Sequence, residues 1–340
     1  MSERLEDIAQ KMVTKGKGIL AADESSGTIK KRFDTINVES TETSRRDYRE
    51  MLLRTDAMRE CISGVIFYDE TLRQKAADGT PLVELCASTG AVPGIKVDKG
   101  AKPLAGFSGE TITEGLDGLR ERLAEYHEIG ARFAKWRAVI SISSGLPTWT
   151  ALKQNMQALA RYAALCQEAH IVPIVEPEVV MDGIPGDHSI ERCEEVTLWS
   201  LKTLYDELYD ARIKLEGTVL KPNMVIDGKN ARKASVAEVA ERTVRVLKET
   251  VPAAVPGIAF LSGGQHTEEA SAHLSAMNAG YDVPWALTFS YGRALQESAL
   301  SAWGGKPEQV AAGQKAFAHR AKMNALATTG GWSESLEKAA

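Results

Sequence analysis

Hydrophobic and polar positions along the chain fall into two alternating kinds of stretch. Short apolar runs rich in β-branched residues occupy 18–23, 63–68, 92–97, 132–137, 171–176, 217–221, 257–262 and 285–290. Their ends recur 28 to 45 residues apart, which leaves room for a crossover helix each time. Between them, apolar residues recur at helical spacing. The expected helices are 45–61, capped by Ser44; a run after Thr113 that Gly130 stops; 149–169; 189–212; 236–250; and 268–279, with Gly280 as C-cap. Residues 293–327 read as two more, broken near Gly304 and Gly305. Residues 328–340 are polar and contain Gly and Ser, the pattern of a short mobile C-terminal tail.

Eight such units in one domain, residues 1–327, predict an α/β fold: a parallel (β/α)8 TIM barrel. A doubly wound open sheet is the rival. The polar residues that end the runs separate the two. Asp23, Lys96, Lys135, Glu176, Lys221 and Ser262 fall at the C-terminal end of run after run. In a barrel these positions converge on one mouth, whereas an open sheet strings them along an edge.

The composition is that of a globular protein: 340 residues, 44% hydrophobic and 26% charged. A net charge of −5 argues against a nucleic-acid binder or a polybasic membrane surface, and leaves small anionic substrates open. No stretch approaches the roughly 20 apolar residues of a membrane span. The N-terminus lacks the apolar core of a signal peptide. Cys61, Cys86, Cys166 and Cys193 form no C-x-x-C pair and read as free thiols in a reducing, cytoplasmic compartment. The six histidines show no metal-ligand spacing, which argues against a metal hydrolase or a zinc aldolase.

Lys221 carries the chemistry. It ends the buried-looking run Gly217–Leu220 and is followed by Pro222 and Asn223. A lysine drawn into an apolar or cation-flanked setting sheds its proton more readily and becomes a nucleophile toward carbonyls. Lys135 is a candidate neighbouring cation. Glu176 and Glu178, two apart on one strand, point the same way, as do Lys135 and Arg137. Glu176 is the candidate acid/base, expected to titrate near neutrality. Each pair alone fits an ion-paired strand end, and Lys221 alone fits a salt-bridged lysine. Five strands ending this way together point to a site.

Two glycine-rich segments follow the last two runs: Ser262-Gly263-Gly264 and Ser290-Tyr291-Gly292-Arg293. Such loops bring backbone N–H groups to an anion, and Arg293 adds a fork of donors. A phosphate site after strands seven and eight is a recurring barrel feature. On the other side, Ser25 and Thr28 open a helix carrying Lys30, Lys31 and Arg32, which could hold a second phosphate or be a capped, solvated basic face. Lys96 is either an anion ligand or part of a solvated charged loop.

These segments also carry a resemblance. Gly16–Ser25, Gly94–Gly100, Phe133–Arg137, Ile174–Glu178, Leu220–Met224, Phe260–Gln265 and Trp285–Leu295 resemble class I fructose-1,6-bisphosphate aldolases, over about residues 5–325. The resemblance implies reversible cleavage of fructose 1,6-bisphosphate to dihydroxyacetone phosphate and glyceraldehyde 3-phosphate, in glycolysis and gluconeogenesis. It implies Lys221 as the Schiff-base lysine, Glu176 as principal proton donor and acceptor, and Glu178, Lys135 and Asp23 as the rest of the catalytic set. Ser262, Gly263, Gly264, Ser290, Gly292 and Arg293 would hold one phosphate. Ser25, Thr28 and Lys96 would hold the other, with Arg32 nearby and Arg137 also on the substrate. It further implies no metal or other cofactor and a cytosolic homotetramer. Animal members end in a tyrosine that assists proton transfer; here no tyrosine follows Tyr291, the pattern of a short-tailed, bacterial-type member. Two other readings remain: an aldolase-like scaffold for protein association, and a different Schiff-base barrel enzyme such as a transaldolase, which needs no second phosphate site.

Overall fold

Each of the eight apolar runs forms a strand, and the eight pair in parallel. The computed structural model describes residues 3–183 and 185–338. In chain order the strands are β1 (Gly18–Ala22), β2 (Ile62–Phe67), β3 (Val92–Lys96), β4 (Ala101–Pro103), β5 (Thr111–Thr113), β6 (Phe133–Ser141), β7 (Val172–Val180), β8 (Val219–Leu220), β9 (Gly257–Phe260) and β10 (Ala286–Tyr291). β4 and β5 form a separate antiparallel hairpin. The other eight close into a barrel, β10 returning to β1 through Ile19–Ser290 and Leu20–Tyr291 pairings.

Side chains alternate along a strand, so one set of every second residue fills the barrel. That set is apolar where the strands begin: Ile19, Val92, Phe133, Val172, Ile174, Val219 and Ala259 pack together there. Phe133 reaches the centre because β3 carries glycine beside it; a Cβ on Gly94 would stand 2.3 Å from its ring. The helix Leu5–Met12, which the hydrophobic pattern did not disclose, lays Ile8, Ala9 and Met12 across this end and closes it. At about 1.5–3 kcal/mol per fully buried large apolar side chain, this plug is a main source of stability.

Four helix ends differ from expectation. The helix after β1's crossover runs Glu42–Leu53, and its cap is Thr41 rather than Ser44. Thr41 Oγ1 accepts from Ser44 N at 3.0 Å, while Thr41 N donates to Ser44 Oγ at 2.9 Å, a reciprocal box. That helix breaks before Ala57–Cys61, where Thr55 Oγ1 donates to the Met51 carbonyl at 3.1 Å. Thr113 ends β5, and the helix that Gly130 stops starts only at Leu119. Gly280 is the last residue of the helix Thr267–Gly280 and not its cap. The break at Gly304 lies as expected, that glycine taking a left-handed conformation after Trp303.

The tail is not free over its described length. It starts near the strand-start end, where Gly330 packs on Ala279, and runs back along the helix Thr267–Gly280. Glu337 there forms a two-pronged ion pair with buried Arg320, 2.6 and 2.8 Å, and accepts from Trp332 Nε1 at 2.6 Å. Arg320 in turn donates to Ser271 Oγ at 2.9 Å. Ala339 and Ala340, and Met1 and Ser2 at the other terminus, lie outside the described residues.

Candidate active site

The inward-facing set that begins apolar ends charged. Ile19 and Ala21 lead to Asp23, Phe133 to Lys135 and Arg137, Val172 and Ile174 to Glu176 and Glu178, and Val219 to Lys221. In-register pairing puts Lys96 beside Lys135 and Arg137 beside Glu176, and Lys221 N donates to the Val175 carbonyl at 2.8 Å. These side chains line a cavity of about 760 Å³ at the strands' C-terminal end.

At its floor one carboxylate bridges two ammonium groups. Lys221 Nζ lies 3.1 Å from Glu176 Oε1, and Lys135 Nζ lies 3.3 Å from Glu176 Oε2. Lys135 Nζ also lies 2.8 Å from Asp23 Oδ2. Arg137 Nε pairs with Glu178. Three carboxylates thus face three cations, and the group is neutral overall. Burial alone pushes the Asp23 carboxyl up, but the Lys135 and Lys221 charges outweigh it and hold Asp23 well below the usual carboxylate range. For Lys135 burial acts downward and loses to Asp23, Glu176 and Asp98, so the ammonium is held above the usual lysine range. Glu176 was expected to titrate near neutrality. Its burial does act upward, but Lys135, Lys221 and Arg137 outweigh it and the net shift is down. Glu176 is a carboxylate in the free protein, a base before it is an acid.

Around this floor the cavity wall carries Ser25, Thr28, Arg32, Lys96, Ser262, Gly263, Ser290 and Gly292. Ser25 caps the helix Ser26–Asp34, and its Oγ lies 3.1 Å from Thr28 Oγ1. The turn after β9 is fixed by Gln265 N donating to the Ser262 carbonyl at 2.8 Å, with Gly263 and Gly264 at φ +42° and +82°. Ser290 Oγ is buried and has no hydrogen-bond partner among the described residues.

Two expected ligands are not on this wall. Gly264 and Arg293 line a neighbouring cavity of about 380 Å³, together with Gln265, Lys229 and Lys233. The physical reason is local geometry. Gly263 faces Leu261, which lines the first cavity, whereas Gly264 faces Met181, which lines the second. Arg293 is the first residue of the helix Arg293–Trp303 and projects outward, exposed. Sequence reasoning also missed two acids. Asp98 binds Lys96, whose Nζ donates to both its carboxylate and its carbonyl, the latter at 2.9 Å, and Asp98 Oδ2 accepts from Arg137 N at 3.3 Å. Glu24 binds Arg32. The Lys-x-Asp spacing at 96–98 was a usable signal for the first. For Glu24 there was none beyond its place after Asp23.

The family model "Fructose-bisphosphate aldolase class-I" matches residues 4–340. The chain belongs to the class-I fructose-bisphosphate aldolase family. It is 55% identical over 332 residues to a probable class 1 fructose-bisphosphate aldolase of Xanthomonas campestris, covering 97% of this chain and 98% of that one. It is 54% identical to the cytosolic fructose-bisphosphate aldolase 6 of Arabidopsis thaliana, covering 94% and 88%. A solved fructose-bisphosphate aldolase of Plasmodium falciparum, in complex with TRAP and a small-molecule inhibitor, superposes with a TM-score of 0.94 at 49% identity, covering 97% of this chain and 95% of that one. The closed barrel with a lysine-rich mouth is therefore the aldolase architecture of this family, whose members are metal-independent lyases.

Proposed function

We propose that the cavity reversibly cleaves fructose 1,6-bisphosphate to dihydroxyacetone phosphate and glyceraldehyde 3-phosphate, in glycolysis and gluconeogenesis, through a Schiff base on Lys221. The observation that carries this reading is the Glu176 carboxylate shared by Lys221 and Lys135. Glu176 takes a proton from the Lys221 ammonium across 3.1 Å. The free amine attacks the open-chain C2 ketone to give a carbinolamine, and Glu176 returns the proton to its hydroxyl. Water leaves and an iminium forms. The iminium accepts the electron pair of the C3–C4 bond while a carboxylate, Glu176 or its neighbour Glu178, takes the C4 hydroxyl proton. Glyceraldehyde 3-phosphate departs, the enamine is protonated at C3, and hydrolysis frees dihydroxyacetone phosphate. Lys135 stays an ammonium throughout, anchored by Asp23, and steadies the developing oxyanions.

In this reading Ser262, Gly263, Ser290 and Gly292 hold the phosphate of the dihydroxyacetone half. Ser25, Thr28, Lys96 and Arg32 hold the distal one, with Arg137 facing the substrate between them. Arg293 joins the first group only by turning from the neighbouring cavity past Gly292, and Gly264 serves through the turn rather than by contact. Domain limits of 1–327 for the barrel and 328–340 for the tail, a homotetramer, and a place in the cytoplasm complete the proposal. The cytosolic relatives support the last. Light scattering should give four times 36.9 kDa.

The deciding experiment is borohydride reduction in the presence of dihydroxyacetone phosphate, followed by peptide mapping. An adduct on Lys221 is expected. An adduct on another lysine, or none in folded protein, overturns the mechanism.

A further inference from the structure

We infer that Glu24 is a positioning residue whose buried carboxylate fixes the Arg32 guanidinium over Gly292, between the two candidate phosphate loops. The inference rests on the reading of Arg32 as a ligand of the distal phosphate.

The chain after β1 is extended, so consecutive residues point to opposite sides. Asp23 turns inward to Lys135, and Glu24 turns outward among three helices. Glu24 Oε1 accepts from Arg32 Nη1, and from Gln296 Nε2 at 3.0 Å. Arg49 Nη2 donates to the Glu24 carbonyl at 2.9 Å and lies 3.6 Å from its Oε2. Gln296 is itself held, donating to the Ala21 carbonyl at 2.7 Å and accepting from Tyr48 OH at 3.2 Å. Tyr48, Arg49 and Gln296 are each only 1% exposed. The carboxylate is therefore clamped from the helices Glu42–Leu53 and Arg293–Trp303.

Arg32 is the one member of this cluster with a substantial open face, its side chain 24% exposed on the cavity. Its Nη2 lies 3.5 Å from where a Cβ on Gly292 would stand, an ordinary contact distance, so the guanidinium rests directly beside Gly292. Charge supports the same role. Two guanidiniums and one carboxylate leave a single net positive charge, and Arg32 presents it to the cavity. Without the carboxylate, Arg32 and Arg49 would repel, and Arg32 would be free to leave for solvent.

The test compares kcat and KM for fructose 1,6-bisphosphate and for fructose 1-phosphate, which lacks the distal phosphate. Glu24→Gln should raise KM for the bisphosphate about tenfold, the worth of one charge-assisted hydrogen bond, with kcat and the fructose 1-phosphate constants little changed. Glu24→Asp keeps the charge that Arg49 needs while withdrawing from Arg32. It should give the same split at smaller size, and it serves where the Gln variant does not fold. Arg32→Ala should match Glu24→Gln, and the double variant should lose no more than either alone. Folded Glu24 variants with an unchanged bisphosphate KM, beside an Arg32→Ala that raises it, overturn the positioning role, as do equal losses on both substrates. Arg32→Ala without effect on the bisphosphate overturns the ligand reading instead.

Discussion

Where its strands begin, the barrel is filled by Ile8, Met12, Phe133 and Val219; two residues further along the same strands it is filled by Lys135 and Lys221, with Glu176 beside them. The register is continuous, so the two layers differ only in which residue types occupy the inward positions. Apolar side chains at the first layer gain from leaving water and from close packing. Ions at the second layer lose hydration, which their mutual attraction only offsets. Such a layer gives reactive geometry at little net gain in stability, and it is tolerable because the plug beneath it and the helices around it hold the strands. One end of this barrel holds the fold, and the other spends none of that stability on being comfortable.

That division predicts that mutations at the two ends separate. Lys221→Met should lower turnover by about 10⁴-fold or more, on the order of 5 kcal/mol of barrier, and abolish borohydride trapping. Thermal unfolding should move little, because Glu176 keeps its Lys135 partner. A large fall in midpoint would mean that the charged layer also holds the fold. Phe133→Ala should do the converse. It empties the space that Gly94 leaves for the ring and should cost about 3–5 kcal/mol in denaturant unfolding, while folded protein still traps on Lys221. Loss of trapping in folded Phe133→Ala would erase the distinction between the layers.

Much of this was legible in the sequence because both layers obey a period of two. The eight runs, their order and the charged residues that close five of them were readable from pattern alone, and the long motifs of the aldolase family sit on those same ends. Elements without such periodicity were not readable. The β4–β5 hairpin is short and largely exposed, and Leu5–Met12 is a brief helix whose apolar stripe has meaning only against the barrel. Thr41 and Ser44 are both good caps, and only the reciprocal hydrogen bonds tell them apart. Lys96 and Arg32 could be placed at strand and helix ends, but not the acids Asp98 and Glu24 that aim them. Arg293 was assigned by its neighbours in sequence, whereas its outward direction follows from the helix that begins with it. The tail read as mobile because its anchors are single residues, Trp332 and Glu337.

Acidity sharpens the comparison at the mouth's outer wall. His273, on the helix Thr267–Gly280, holds Gln265 through Nδ1 at 2.6 Å and so braces the turn after β9. Burial pushes its pKa down from 6.5 to about 4, with Glu269 acting weakly the other way. Between these values the unfolded chain binds a proton that the folded chain refuses. Stability should therefore fall as pH drops from about 6.5 to about 4, by up to roughly 3 kcal/mol, and be unaffected by this group above 6.5. His273→Gln should flatten that slope in urea unfolding measured across the range. An unchanged slope would assign the acid sensitivity to the carboxylates of the inner layer.

The smallest effect should come from the tail, which runs along the outside from the strand-start end toward the mouth. Burial pushes the Glu337 carboxyl up, but Arg320, Trp332 and His319 outweigh it and hold it below its ordinary value, so at neutral pH the ion pair is intact. Glu337→Gln keeps the hydrogen-bonding shape and removes the charge facing buried Arg320. It should raise local opening of residues 328–338 by about 1–2 kcal/mol, read as faster amide exchange or proteolysis there. Global unfolding and trapping on Lys221 should hardly change. The same opening should occur in the unmodified protein as pH falls through the lowered Glu337 value, since protonation also removes that charge. If Glu337→Gln instead reduces turnover while the fold persists, the tail belongs with the chemistry of the mouth, and the molecule is divided between inner wall and outer cover rather than between its two ends.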